Sequence, residues 1–256
     1  MPPIQDQSIL IIGGSSGIGL AVAQLALSEG LHVAIASSSQ SKITTALATL
    51  NSPSSQNKDK HKYQATGHTI DLLSPDPETH LANLLSTVTN NGTTKLDHII
   101  HTAGRPGPLP IQDFNMQTLA AAGHLHFFTP LLIAKIAPAF MNPGPTSSLI
   151  FTGGQVANRP IPGWSVLASY AAGLQGMVRG LAVDLKPLRV NLVSPGPTDT
   201  GLLGERREMV RERIAETGVL GKLGSAQEVA EVYGYFMRDT NATGGMVCSD
   251  GGGLLV

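Results

Sequence analysis

The stretch Gly13-Gly-Ser-Ser-Gly17-Ile-Gly19 has the spacing in this sequence that most directly implies a chemical task. Glycines at its first, fifth and seventh places let a backbone turn sharply and approach a pyrophosphate, whose charge meets the amides and positive end of a following helix. Ser15, Ser16 and Ile18 complete that loop. Further along, His101, His124, His126 and Tyr170 are groups able to give or take a proton. His124 and His126 stand two apart on an expected helix and so point in different directions, which argues against a shared metal ion; none is expected. His101 ends an apolar strand, where an imidazole serves either as an acid or as a partner for a backbone carbonyl.

The elements that must position these groups are legible in the hydrophobic pattern. Ser8-Ile-Leu-Ile-Ile12 is short, apolar and closed by glycines, as in a parallel strand covered on both faces. A helix from Ile18 to Ser28 stops before Gly30, and His32-Val-Ala-Ile-Ala36 is the next strand, giving a βαβ opening with the glycine loop at its first turn. A helix near Lys42 to Leu50 leads into the aperiodic polar stretch Asn51–His61, read as a surface insertion. Then come a strand within Gln64–Ile70, a helix around Pro77–Thr89, a strand Asp97–His101 and one long helix from about Gln117 to Ala139. A strand Ser148–Thr152, a helix from about Trp164 to Leu185, and strands Arg189–Val193 and Met246–Cys248 close the series. Strands alternating with helices predict an α/β fold of the Rossmann type: a doubly wound, seven-stranded parallel sheet with helices on both faces and ligands at the carboxyl ends of the strands. The whole of 1–256 is expected to form one dinucleotide-binding domain.

The composition limits the partners. Hydrophobic residues make up 41% against 14% charged, which excludes a disordered chain. With 17 Lys and Arg against 18 Asp and Glu the net charge is −1, so there is no global positive field for nucleic acid or anionic membrane. No apolar run reaches bilayer length. Cys248 is the lone cysteine, so no internal disulfide forms, and the N-terminus lacks a signal-like pattern; a cytoplasmic location is the expectation.

Several motifs in the same order give the chain a resemblance to the short-chain dehydrogenase/reductase family. Gly13, Gly17 and Gly19 match that family's phosphate loop. The resemblance implies that Asp71, with Leu72, contacts the adenine, and that His101-Thr-Ala103-Gly104 stands for the family's Asn-Asn-Ala-Gly turn. It likewise implies that Pro195, Gly196, Thr198 and Thr200 line the nicotinamide, and Asp250-Gly-Gly252 matches its closing signature. Cofactor choice turns on the end of the second strand, where an acid would bind the ribose hydroxyls of NAD and repel a 2′-phosphate. Here it reads Ser37-Ser38-Ser39-Gln-Ser-Lys42, hydroxyls with a cation nearby, so NADP(H) is the favoured cofactor, against the plainer reading of a solvated turn.

The family's catalytic pattern is broken. Aligned backward from Arg179-Gly-Leu-Ala-Val-Asp-Leu185, the tyrosine place falls on Leu167 and the lysine place on Ala171. The serine place falls on Gly153 or Gly154, after Thr152, and the asparagine place falls within Gly123-His-Leu-His126. Tyr170 lies near but has Leu174, not lysine, four residues on, so packing is its simpler role. Trp164 follows Pro162-Gly163 and either walls an aromatic substrate or plugs its loop; Thr152, Gly153, Gly154, Trp164 and Leu167 are the expected substrate contacts. Without a proton donor, hydride delivery to a ketone builds an alkoxide unassisted, whereas an iminium carbon is neutralised by hydride and needs no proton. The segment Asn158–Ser165, followed by Tyr170–Gly176, is more loosely similar to fungal bifunctional reductase/Diels–Alderases of indole alkaloid biosynthesis. In those enzymes an acid between two prolines and an arginine on the preceding helix are implicated; here the places are Ile161 and about His126.

Three readings follow: an NADP(H)-dependent reductase of a small natural product, favouring an activated C=N electrophile; a cyclase or isomerase on the same fold; and a catalytically inactive nucleotide-binding partner. A homodimer or homotetramer is implied by the resemblance.

Overall fold

The computed structural model describes residues 3–52 and 62–256; most of the Asn51–His61 insertion lies outside them. The strands β1 (Ser8–Ile12), β2 (His32–Ser37) and β3 (Thr66–Thr69) alternate with helices α1 (Gly17–Ser28), α2 (Gln40–Leu50) and α3 (Pro77–Val88). Then come β4 (His98–His101), α4 (Met116–Gly123), α5 (Thr129–Ile136), β5 (Ser148–Thr152), α6 (Ser165–Asp184) and β6 (Arg189–Pro195). The chain ends with β7 (Thr198–Asp199), α7 (Arg207–Thr217), β8 (Gly224–Ser225), α8 (Ala226–Arg238) and β9 (Met246–Ser249).

The main sheet has seven parallel strands in the order β3-β2-β1-β4-β5-β6-β9, as the alternation predicted. Successive side chains of β1 enter two separate cores: Ile9 and Ile11 pack under α1 and α8, Leu10 and Ile12 under α3, α5 and α6. This double burial is why the strands read as continuous apolar runs. The chain leaves β1 toward β2 and β3, then returns to place β4 on β1's other side. The loops after β1 and β4 therefore part from each other, which opens a crevice at the carboxyl edge of the sheet.

The structure departs from the sequence pattern in three places. The expected last strand extends to Ser249, and two residue pairs it left unassigned, β7 and β8, form a small parallel pair beside the main sheet. The long helix expected over Gln117–Ala139 is interrupted by a π-turn, His124–Phe128, in which the Thr129 amide bonds the His124 carbonyl. Pro130 explains it: proline has no amide to give the His126 carbonyl and its ring crowds that oxygen, so the preceding turn widens. Finally, by length and composition two helices, Met116–Phe140 and Ser165–Asp184, are apolar enough to cross a bilayer (mean hydropathy 1.3 and 1.2). Leucine, isoleucine, valine, phenylalanine and alanine raise that hydropathy, and the inner faces of the two helices, through Ile133, Ala134, Leu174 and Val178, belong to the core under the sheet.

Helix starts follow side-chain caps. Ser39 opens α2, Asp76 with Pro77 opens α3, and Asn115–Thr118 and Ser225–Glu228 form reciprocal capping boxes at α4 and α8. The start of α1 has no such cap, as is also true of α5, α6 and α7: Ser16 makes no side-chain bond to the helix amides and the first turn carries no acid. Ile100 is fully buried in the central strand β4. Ile100→Ala is expected to lower the unfolding free energy by about 2–5 kcal/mol, read from the urea midpoint, whereas Leu131→Ala on the 39% exposed surface of α5 stays within about 1 kcal/mol.

Candidate dinucleotide and substrate site

The crevice is a cleft of about 690 Å³ whose walls come from the loops after β1, β2, β3 and β4 and from the start of the β7–α7 segment. Its floor is the glycine loop. Gly17 holds φ +52°, which an L side chain rarely adopts. A Cβ on Gly19 would lie 2.3 Å from the Gly13 carbonyl oxygen and 2.5 Å from Thr102 Oγ1. The loop is thus folded back onto the β4 turn with no room for a Cβ at Gly13 or Gly19, and the first-turn amides of α1 beside it carry no side-chain cap. Bare amides, a helix start without a carboxylate and an emptied cradle fit a pyrophosphate.

At one end of the cleft Ser37, Ser38, Ser39 and Lys42 share a wall, with Ser15 Oγ donating to Ser37 Oγ at 2.8 Å and Ser39 Oγ accepting from the Lys42 amide. Among the described wall residues the carboxylate is Asp71, the cations Lys42 and Arg105. Asp71 Oδ1 accepts from the Leu73 amide, so this side chain shapes its own turn. Ser15, Ser16, Gly17, Ile18, Gly19, Leu72, Ala103, Gly104, Thr152 and Thr200 also form the wall, as does Leu125, which the sequence reading missed. Pro195, Gly196 and Thr198 stand behind it: Thr198 Oγ1 donates to the Gly196 carbonyl at 2.9 Å, and Gly196 is pressed against the Asp250 backbone. Gly153, Gly154, Trp164 and Leu167 are likewise not part of this wall.

None of the four proton-transfer candidates lines the cleft directly. Tyr170 packs its ring on Gly123, Phe127 and Phe128 and donates its phenol to the Leu119 carbonyl at 3.0 Å, joining α6 to α4. The ring of His124 bonds the Leu72 carbonyl through Nε2 at 2.7 Å. That of His126 lies over Gly104 and hydrogen-bonds the Arg105 backbone, which raises its pKa against the larger lowering by burial. His101 is 2% exposed, its Nε2 has no hydrogen-bond partner, and burial, then His126, pushes its pKa down to about 3. Leu167 and Ala171, at the expected tyrosine and lysine places, are buried apolar residues of α6. A tyrosine does reach the edge of the cleft from the opposite helical layer: the fully buried Tyr233 of α8 meets Thr152 Oγ1 at 2.7 Å, and Thr152 Oγ1 bonds the His101 carbonyl at 2.7 Å. Burial raises the phenol's pKa, so it is a fixed neutral donor. Its only sequence signal is an apolar helical pattern, which hides the hydroxyl.

Beyond the cleft, Asp199 of β7 accepts ion pairs from Arg207 Nε at 2.5 Å and Arg211 Nη2 at 3.1 Å. They clip α7, which carries the exposed apolar Met209, to the strand beside Thr200.

A glycine-floored crevice at a topological switch point, with an uncapped helix start and a ring of hydroxyls, defines a dinucleotide-binding α/β protein. Comparison narrows this further. A family model described as an SDR-like Rossmann domain matches residues 3–256, and the chain belongs to the short-chain dehydrogenase/reductase family. It is 41% identical over 260 residues to the short-chain dehydrogenase/reductase ATR9 of Stachybotrys chlorohalonatus, covering 100% of both chains. It is 36% identical to the short-chain dehydrogenase/reductase malC of Malbranchea aurantiaca, over 98% of this chain and 96% of that one. The solved structure of the MalC reductase/Diels–Alderase superimposes with a TM-score of 0.92, covering 98% of this chain and 97% of that one.

Two expectations follow. Gly19→Val is expected to weaken dinucleotide binding by roughly a hundredfold, about 3 kcal/mol, in a fluorescence titration, with circular dichroism confirming the fold. Burial also pushes the pKa of His98 down to about 3, so His98 and His101 are neutral when folded and take up protons on unfolding near their ordinary value of 6.5. Their contribution is full above pH 6.5 and is lost as pH falls toward 3. Over that window the stability should fall by roughly 1 kcal/mol per pH unit for each of these two histidines, and His98→Asn should remove one histidine's share of the slope seen in urea titrations, since burial lowers His68 and His126 as well.

Proposed function

We propose that the chain is an NADP(H)-dependent, cytoplasmic reductase acting on a small natural product in a fungal type of specialised metabolism, and that it delivers hydride to an activated C=N⁺ carbon or a similar electrophile. The observation that carries this reading is the apolar pair Leu167 and Ala171 on α6, where the family's resemblance places a phenol and an amine. When bound, the nicotinamide supplies the hydride. The protein's part is then to bind and orient. The amides of α1 and the glycine floor would hold the pyrophosphate, Ser37, Ser38, Ser39 and Lys42 would receive the 2′-phosphate, Asp71 and Leu72 would hold the adenine and Thr200 the nicotinamide half; all of these line the cleft. An electrophile that already carries positive charge requires no proton from the vacated positions, so the loss of the usual donor is tolerated for this chemistry and costly for a neutral ketone.

The similarity to a protein named a reductase/Diels–Alderase supports a second reading, a cyclisation in the same cleft. We also propose that the chain pairs with a copy of itself through α4, α5 and α6, where Met116 (80% exposed), Leu131 and Val183 (68%) remain uncovered.

Stopped-flow mixing with cyclic iminium substrates is expected to consume NADPH faster than NADH, while simple ketones react slowly. Ser38→Asp should reverse the cofactor preference by about tenfold or more. No consumption across a broad iminium panel would overturn the redox reading. Product formed with enantiomeric excess in the absence of NADPH would establish the cyclase instead. Light scattering of the wild type and of Val183→Asp tests the pairing, the substitution being expected to yield the monomer.

A further inference from the structure

The π-turn forced by Pro130 places three consecutive side chains against three parts of the same cleft. His124 reaches sideways to the Leu72 carbonyl in the loop after β3. Leu125 forms part of the cleft wall itself. On the far side the ring of His126 lies over Gly104, so close that a Cβ there would meet Cε1 at 2.6 Å, and bonds the Arg105 backbone. The loop after β3 and the loop after β4 are otherwise separated by β2 and β1 in the sheet order.

We infer that this turn is a staple that fixes the spacing of the two loops, and that His124 and His126 are cofactor-positioning residues, His124 for the adenine half and His126 for the nicotinamide half. The inference rests on the dinucleotide reading of the cleft. In a regular α-helix the His126 carbonyl would take the amide of residue 130, and the turn would narrow. Proline at 130 removes that option, so the wide turn is built into the sequence. The imidazole of His124 spends its Nε2 hydrogen on a main-chain oxygen and not on a ligand, which is the work of a positioning group.

The test compares two ligands, NADPH and its adenine-side fragment 2′,5′-ADP, by isothermal titration, with thermal midpoints measured in parallel. NADH and AMP replace them if the wild type prefers the unphosphorylated cofactor. His124→Ala should weaken both ligands by about tenfold, the loss of one hydrogen bond's worth of order in the loop. His124→Gln, which can still donate to the Leu72 carbonyl, should restore most of that loss. His126→Leu should weaken NADPH by a similar factor and leave 2′,5′-ADP within about twofold. Pro130→Ala, which returns the missing amide and permits a regular turn, should lower NADPH affinity without abolishing the folded circular dichroism spectrum. Unchanged affinities in His124→Ala or Pro130→Ala, whatever happens to the thermal midpoint, would overturn the staple; so would equal losses for both ligands in His126→Leu. A wild type that binds neither ligand pair would remove the cofactor reading itself, a different failure from a wild type that binds normally while the variants bind equally well.

Discussion

The contact between Gly19 and the Gly13 carbonyl is the constraint on which the site depends. With a Cβ excluded at 2.3 Å, the first turn of α1 lies directly on the loop leaving β1, and on the other side it touches the turn after β4. Those two contacts bring the helix start to the place where β1 and β4 diverge. Everything else in the cleft is arranged around a set of amides that the protein itself does not cap.

The chemistry follows from a contrast between the two ends of the molecule's polar inventory. Hydroxyls are plentiful where a nucleotide would lie, at Ser15, Ser37, Ser38, Ser39 and Thr200. Acids and bases are held back: one imidazole bonds a carbonyl, another is buried with a bare nitrogen, and the phenol of Tyr170 serves the joint between two helices. On the proposed reading such a site recognises by shape and fixed dipoles more than by proton exchange.

The sequence exposed the fold well because its signals were local. Strands buried on both sides read as apolar runs, and Gly13, Gly17 and Gly19 carry a backbone requirement that no other residue meets. Most of the residues that line the cleft could be named beforehand, some from that loop and some from the family resemblance. What stayed hidden depended on tertiary context. Leu125 reads as one more helical leucine until the π-turn is seen, although Pro130 in the middle of an apolar helix was the available clue. Thr198 looked like a wall residue, but its hydroxyl closes onto the Gly196 carbonyl instead. The hydroxyl of Tyr233 could not be placed, since the pattern of α8 says only that the ring is inside.

That hydroxyl has a consequence for how the two sides of the sheet behave together. Tyr233 rises from the helical layer shared by α1 and α8, Thr152 lies at the strand tip, and the His101 whose carbonyl completes the chain turns its imidazole toward the opposite layer. A sheet normally insulates the helices on its two faces from each other. Here a short run of oxygen atoms ties α8 to the carboxyl ends of β4 and β5, where Thr152 lines the crevice.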